Sequence, residues 1–223
     1  MLFVLITAIM TVTATRQSAP AAALAEEDPR VLVIDAGHGG LDGGAVSADG
    51  RKESELNLEI ARRLYDLCRL LGIRCQMTRN SETLPYPPEA ASIREKKIWD
   101  QQRRAAMINA TDGAVLLSIH QNHYPDARPS GTQVLYGTAD SSEVFAGIAH
   151  QLLRQNLCPE NRRLAVAASD AIYLMRSVSC PAILVECGFL SNPEEAQKLA
   201  SSGYQTKIAM MLCTAYISFT GTA

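Results

Sequence analysis

Residues 31–40 read VLVIDAGHGG, a run of four aliphatic residues that ends in Asp35 and a glycine-rich turn. A short, continuous apolar run of this kind predicts a buried strand of a parallel sheet. Apolar runs of similar length predict five more strands, at 73–78, 114–119, 131–136, 171–175 and 182–186.

Helical patterns separate these runs. Leu56, Ile60 and Leu64 recur at helical spacing and predict a helix that begins near Leu56 and stops at Gly72. Further helices are predicted at about 92–109, 142–156, from 193 onward and 203–219. Alternating strands and helices predict a single α/β domain, a mostly parallel twisted sheet with helices on both faces.

Composition narrows the class of protein. The chain has 223 residues, of which 47% are hydrophobic and 20% charged, and this is typical of one soluble globular domain. A net charge of −2 and the lack of any basic run argue against nucleic acid as a partner. The six cysteines form no C-x-x-C pair, which excludes a zinc ribbon or a thioredoxin motif and leaves their disulfide state open.

The N-terminus has the pattern of an export signal. Residues 1–15 are apolar and uncharged, and an A-x-A site at residues 23–25 precedes the acidic residues 26–28. We predict a signal peptide or membrane anchor over 1–25 and a folded domain over 26–223, exported across the cytoplasmic membrane. No Lys or Arg precedes the apolar run, so cleavage and retention as a tether both remain open.

Three predicted strands run into residues with catalytic or metal-binding chemistry. The first leads through Asp35 to His38, the third leads to His120, and the last ends at Glu186. Because the carboxyl ends of parallel strands meet at one edge of a sheet, we expect these side chains to gather there.

Two imidazoles and one carboxylate are a common ligand set for catalytic zinc. Glu53 and Glu55 are both candidates for the carboxylate, because both precede the helix that begins near Leu56. Either one has an alternative role, since a carboxylate at a helix N-terminus stabilises the helix through its dipole. The pattern alone does not choose between them.

Glu186 ends a strand that is predicted to be buried. An unpaired buried carboxylate is costly, so Glu186 either faces a polar cleft or pairs with a cation such as Arg104 or Arg176. In a cleft beside a metal it would be a natural general base.

Other catalytic classes lack their motifs. The sequence contains no G-x-S-x-G, no phosphate-binding G-x-x-x-x-G-K-[ST] and no H-E-x-x-H. Asp42 stands where a G-x-G-x-x-G fingerprint needs its last glycine, so no dinucleotide cofactor is predicted.

Several motifs together, in order along the chain, resemble the zinc-dependent N-acetylmuramoyl-L-alanine amidases of the amidase-3 family. The resemblance spans residues 31 to about 219. The matching segments are VIDAGHGG at 33–40, DGG at 42–44, Glu53 followed by LNL at 56–58, Thr78 with Arg79, Arg104 with Asn109, SIHQN at 118–122 and LVECGFLSN at 184–192.

The resemblance implies that His38, Glu53 and His120 bind Zn²⁺ and that Glu186 is the catalytic residue. It selects Glu53 over Glu55, because the family's ligand glutamate stands three residues before the LNL helix start. The implied activity is cleavage of the amide bond between N-acetylmuramic acid and L-alanine of peptidoglycan, by a catalytic domain at 26–223. The sequence departs from the family pattern where Ala36 replaces a usual proline and His123 a usual small residue.

Within the family, the compact length and the segments at 161–163 and 172–175 most resemble the sporulation- and germination-specific amidases. This closer resemblance implies a role in forming muramic δ-lactam in the spore cortex. Two alternatives remain, a non-catalytic zinc-binding module that recognises peptidoglycan and a zinc peptidase that cuts within stem peptides. The sequence indicates no particular protein activator.

Overall fold

The computed structural model describes residues 29–221. The predicted export segment, residues 1–25, lies outside the described residues. Within residues 29–221, no helix combines the length and the apolar character needed to cross a membrane.

The chain alternates strands and helices. The strands are β1 (Val31–Ala36), β2 (Cys75–Met77), β3 (Ala114–Asn122), β4 (Gln133–Tyr136), β5 (Val166–Ala167) and β6 (Ala182–Phe189). The helices are α1 (Glu53–Leu70), α2 (Ile93–Asn109), α3 (Ser142–Leu157), α4 (Tyr173–Ser177), α5 (Pro193–Leu199) and α6 (Ser202–Gly221).

The strands form one sheet in the order β2-β1-β3-β6-β4-β5. Every neighbouring pair is parallel except β4 with β6, which is antiparallel. The register places Asp35 beside Ser118 and His120 beside Glu186. The carboxyl ends of β1, β3 and β6 therefore meet at one edge, as the sequence predicted.

Helices cover both faces of the sheet, which confirms the predicted fold class. Alternate strand residues such as Ile34 and Leu117 face a large core with α1, α3 and α6. The intervening residues, such as Val33 and Leu184, face a smaller core with α2 and α4. Asp35, His120 and Glu186 continue the second alternation, so their side chains lie on the α2 and α4 side.

Three parts of the sequence prediction need correction. Strand β5, which consists of two exposed residues, was not predicted. The segment 171–175, predicted as a strand, contains the start of helix α4 instead. A short apolar run of this kind is compatible with a strand or a buried helix. In the structure Leu174 and Met175 are buried against α2 and β6. Helix α1 also begins at Glu53, three residues before the predicted Leu56. This places Glu53 in the first turn of the helix itself.

Candidate functional site

A cluster of potential metal ligands lies at the carboxyl edge of the sheet. His38 follows β1, Glu53 is the first residue of α1, and His120 lies near the end of β3. Glu53 Oε1 is 3.3 Å from His38 Nε2 and 2.9 Å from His120 Nδ1. The three ligand atoms lie within 4.8 Å of one another, and among the described residues this is the one such group of three or more.

Glu53 is fixed by hydrogen bonds from the backbone. The Ala45 amide donates to Oε2 at 2.9 Å, and the Gln121 amide donates to Oε1 at 3.1 Å. Burial alone would raise the pKa of Glu53, but hydrogen bonds and charge from His120 and His38 outweigh it and hold that pKa well below its usual range. Glu55, the other candidate, is about half exposed and lies 3.7 Å from Lys52, away from the cluster.

His38 has a constrained backbone and an oriented ring. Its φ angle of 59° is in the left-handed region, which is uncommon for a residue other than glycine and is often found at functional sites. Its Nδ1 lies 3.0 Å from Asp42 Oδ2, so its Nε2 faces Glu53. Burial alone would lower the pKa of His38, but the hydrogen bonds to Asp42 and Glu53 raise it to about 9.

Two buried arginines hold the loop that carries His38. Arg79 donates to the Ala36 carbonyl at 2.9 Å and to the Gly37 carbonyl at 3.1 Å, and it also binds the Ser54 carbonyl at 2.8 Å. Arg104 donates to the carbonyls of Ala36 and His38. Arg79 thereby connects the His38 loop to the helix start that carries Glu53.

Arg104 also belongs to a buried ion network beneath the cleft. It contacts Asp35 at 2.9 Å and Asp100 at 2.6 Å. The hydroxyls of Thr78 and Ser118 each donate to Asp35 at 2.6 Å. Burial opposes the ionisation of Asp35, but Arg104 and the two hydroxyls lower its pKa to about 2. This carboxylate is therefore charged and fully paired.

Glu186 has the opposite environment. The residue is half-buried, but its Oε2 atom is inaccessible and has no hydrogen-bond partner among the described residues. Burial raises the pKa of Glu186 to about 7. The arginines considered as its partners are engaged elsewhere, since Arg104 pairs with Asp35 and Arg176 lies over the Tyr173 ring. Of the two alternatives left open by the sequence, the structure shows the polar cleft.

That cleft has a volume of about 310 Å³ and is lined by His38, His120 and Glu186. Helix α2 forms one wall with Lys97 and Gln101, and residues 171–174 form the other. A larger groove of about 760 Å³ lies between residues 128–131, 158–163 and 192–198, but it contains none of the cluster residues. We therefore assign the chemistry to the smaller cleft.

The donor set fits a zinc ion. Distances of 2.9 and 3.3 Å from Glu53 Oε1 to the two ring nitrogens allow one cation to be shared at bond lengths of about 2.0–2.2 Å. The contact of Asp42 with the second ring nitrogen of His38 is the arrangement that commonly orients a metal-binding histidine. The cluster is thus a candidate metal centre with Glu186 beside it.

Sequence reasoning missed several residues that support the cluster. Asp42 was considered only as part of a glycine-rich motif. Its spacing of four residues from His38 could have indicated that it contacts the His38 ring. Lys97, 3.0 Å from Asp42, had no signal because its helix face was unknown. His123, which departs from the family pattern, is exposed and does not line the cleft.

The fold and the cluster together define a class of protein, an α/β domain with a candidate metal centre at the carboxyl edge of its sheet. A family model described as N-acetylmuramoyl-L-alanine amidase matches residues 32–217. The germination-specific N-acetylmuramoyl-L-alanine amidase of Bacillus subtilis (strain 168) is 37% identical over 181 residues, covering 81% of this chain and 75% of that protein.

Solved structures agree. The CwlD amidase from Clostridioides difficile, solved in complex with the GerS lipoprotein, has a TM-score of 0.82 and 28% identity, covering 87% of this chain and 100% of that one. The amidase AmiC2 of Nostoc punctiforme has a TM-score of 0.73 and 26% identity, covering 86% and 97%. The chain therefore belongs to the amidase-3 family of N-acetylmuramoyl-L-alanine amidases. The family, enzyme class and fold predicted from the sequence are confirmed.

Proposed function

We propose that this protein hydrolyses the amide bond between N-acetylmuramic acid and L-alanine in peptidoglycan, with zinc held by His38, Glu53 and His120. The observation that carries the proposal is the position of Glu186, a carboxylate with an unpartnered buried oxygen in the same cleft as the three candidate ligands. A module that only recognises peptidoglycan gains nothing from such a costly group.

When bound, zinc would supply a Lewis acid that polarises the amide carbonyl and lowers the pKa of water. The residues around it have separate tasks. Glu186, with a pKa of about 7, accepts a proton from the attacking water and returns it to the leaving nitrogen of L-alanine. Asp42 fixes the ring of His38, and Glu53 contributes the negative charge of the ligand set.

Replacing Glu186 by glutamine separates an enzyme from a binding module. Glu186→Gln keeps the shape and removes the basicity, so we expect normal zinc content and a fall in amidase activity of at least about 10²-fold. Metal analysis and peptidoglycan digestion would be run on the same preparation. Loss of zinc would make Glu186 a ligand, and retained activity would place the general base elsewhere.

Mass spectrometry of the digestion products distinguishes the amidase from a peptidase that cuts within stem peptides. The proposed reaction releases complete stem peptides that begin with L-alanine and leaves intact muramic acid on the glycan. Fragments that begin at a later residue would identify a peptidase and refute the proposed bond.

We further propose a role in the spore cortex, where removal of stem peptides precedes formation of muramic δ-lactam. The 37% identity to a germination-specific amidase supports this assignment. Expression in a Bacillus subtilis strain that lacks its germination-specific amidase would restore muramic δ-lactam, which is measured in digested cortex. If the protein cleaves vegetative peptidoglycan but the cortex of this strain still lacks muramic δ-lactam, the function is limited to general wall hydrolysis.

We propose that residues 1–25 direct the domain at 26–223 across the cytoplasmic membrane, because the substrate lies outside it. Fractionation of a C-terminally tagged chain in its native host tests this. Full-length protein confined to the cytoplasm would contradict the proposal, and the mass of the exported form would distinguish cleavage from retention as a tether.

A further inference from the structure

Among the cationic side chains of the cleft within residues 29–221, Lys97 has hydrogen-bond donors that remain available to a ligand. Of the described residues that line the cleft, Lys97 carries an ammonium group and Arg104 a guanidinium group. Arg104 is buried, and its guanidinium nitrogens bind Asp35, Asp100 and the backbone. The Lys97 side chain is 45% exposed, and its ammonium contacts Asp42 at 3.0 Å. An ammonium has three donors, so this contact leaves two of them for a bound molecule.

Lys97 also changes the charge that an anionic substrate meets. Asp42 lies at the same corner and is about one quarter exposed, so without Lys97 it would repel a carboxylate. Of the other acidic residues that line the cleft, Asp35 and Asp100 are already paired with Arg104, and Glu186 is the proposed general base. Lys97 therefore neutralises the partly exposed charge of Asp42 and provides hydrogen-bond donors on the α2 wall of the cleft.

Lys97 lies close enough to the candidate metal centre to contact a substrate bound there. Asp42 Oδ2 lies between the two side chains, 3.0 Å from Lys97 Nζ and 3.0 Å from His38 Nδ1. In an extended peptide, two residues span about 7 Å. The second residue of a stem peptide is acidic and linked through its side chain, so its α-carboxyl group is left free or amidated.

We propose that Lys97 is a specificity-determining residue that binds the α-carboxylate of the stem-peptide residue that follows L-alanine. This inference rests on the proposed amidase function and names the form of stem peptide that the cleft prefers. The enzyme should discriminate between two peptidoglycan fragments that are identical except for a carboxylate or a carboxamide at that position.

The test compares kcat/KM for the two fragments in the zinc-loaded protein. A partly exposed ion pair predicts a preference for the carboxylate of about two- to fivefold, mainly through KM. In Lys97→Met the ratio should fall to about one, and in Lys97→Arg it should be retained. Arg94→Met removes another exposed cation one turn earlier on α2, outside the cleft lining, and should keep the wild-type ratio.

Binding of both fragments is also measured by calorimetry in the Glu186→Gln variant, with and without Lys97→Met, so that the answer does not depend on turnover. Equal affinity for the two fragments, or a preference that survives Lys97→Met, overturns the inference. The inference is also overturned if Lys97→Met loses zinc and loses kcat equally on both fragments, because Lys97 would then act through Asp42 on the metal centre. If the wild-type, zinc-loaded protein binds the carboxylate fragment selectively but cleaves neither fragment, the proposed function is refuted and this inference stands.

Discussion

Substitution of Gly37 by alanine is the most direct test of the site's geometry. A Cβ at Gly37 would lie 2.2 Å from Nε2 and 2.3 Å from Cε1 of the His120 ring. Ordinary contacts between such atoms are about 3.5 Å or longer, so the ring must move by about 1 Å. Gly37 is not among the residues with a positive φ angle, so alanine adds this clash without backbone strain.

A shift of this size is large for a metal ligand. Zinc–nitrogen bonds measure about 2.0–2.1 Å and tolerate deviations of about 0.2 Å. We therefore expect Gly37→Ala to lower zinc affinity at least about tenfold and to lower amidase activity with it. The overpacking should also reduce the free energy of unfolding of the metal-free protein by about 1–3 kcal/mol.

Gly147→Ala is the matched control. Gly147 lies in helix α3, and a Cβ there would meet no other atom within 4 Å. Alanine at this position should raise stability by about 0.5–1 kcal/mol and leave zinc binding unchanged. Zinc affinity is measured by competition with a chromogenic chelator, and stability by urea unfolding without metal. Wild-type zinc affinity and activity in Gly37→Ala would refute the assignment of His120 as a ligand held in this place.

Three other predictions follow from the described contacts. His120→Ala and Glu53→Ala should each lose bound zinc in metal analysis, whereas Glu55→Ala should retain it; the reverse result for the two glutamates would exchange their roles. Asp35→Asn should cost about 2–3 kcal/mol in urea unfolding because it removes one of the two carboxylates that neutralise the buried Arg104, whereas Asp49→Asn, in an exposed pair with Arg51, should change little. Because the folded-state pKa of Asp35 is lowered to about 2, its ionisation stabilises the fold above about pH 4 by about 2–3 kcal/mol. This stability is lost as the pH falls from about 4 to about 2, and an Asp35→Asn protein that unfolds with the wild-type acid profile would contradict it.

The strand ends were predictable from the sequence because they follow from short-range pattern. Aliphatic runs mark buried strands, and parallel strands bring their carboxyl ends to one edge, so Asp35, His120 and Glu186 were expected to meet. Helix α2 was predicted to within one residue, and in the structure Ser92 and Glu95 form a capping box at its start. The helix that begins in segment 171–175 was not predicted, because a run of only five apolar residues does not distinguish helical from strand periodicity.

Long-range partners of charged residues were not predictable. The pattern offered Arg104 as a partner for Glu186, but in the structure Arg104 reaches Asp35, 69 residues away in the sequence. That pairing depends on which face of α2 packs on the sheet. The sequence of α2 does not show this face clearly, because its buried side includes Asp100 and Arg104 as well as Ala105 and Ile108. The choice between Glu53 and Glu55 likewise depended on where the first turn of α1 lies, because only Glu53 is buried against the strand ends.

Asp35 and Glu186 lie toward the carboxyl ends of β1 and β6, the strands on either side of β3, yet their surroundings move their pKa values in opposite directions. Burial disfavours the charge on both carboxylates, but Arg104 and two hydroxyls compensate Asp35 and lower its pKa to about 2. Glu186 lacks such partners among the described residues, and its pKa rises to about 7. A carboxylate with a pKa near 2 keeps its charge and holds the His38 loop through Arg104 at any physiological pH. A carboxylate with a pKa near 7 exchanges its proton readily, so of the two only Glu186 is suited to carry a proton between water and a leaving nitrogen.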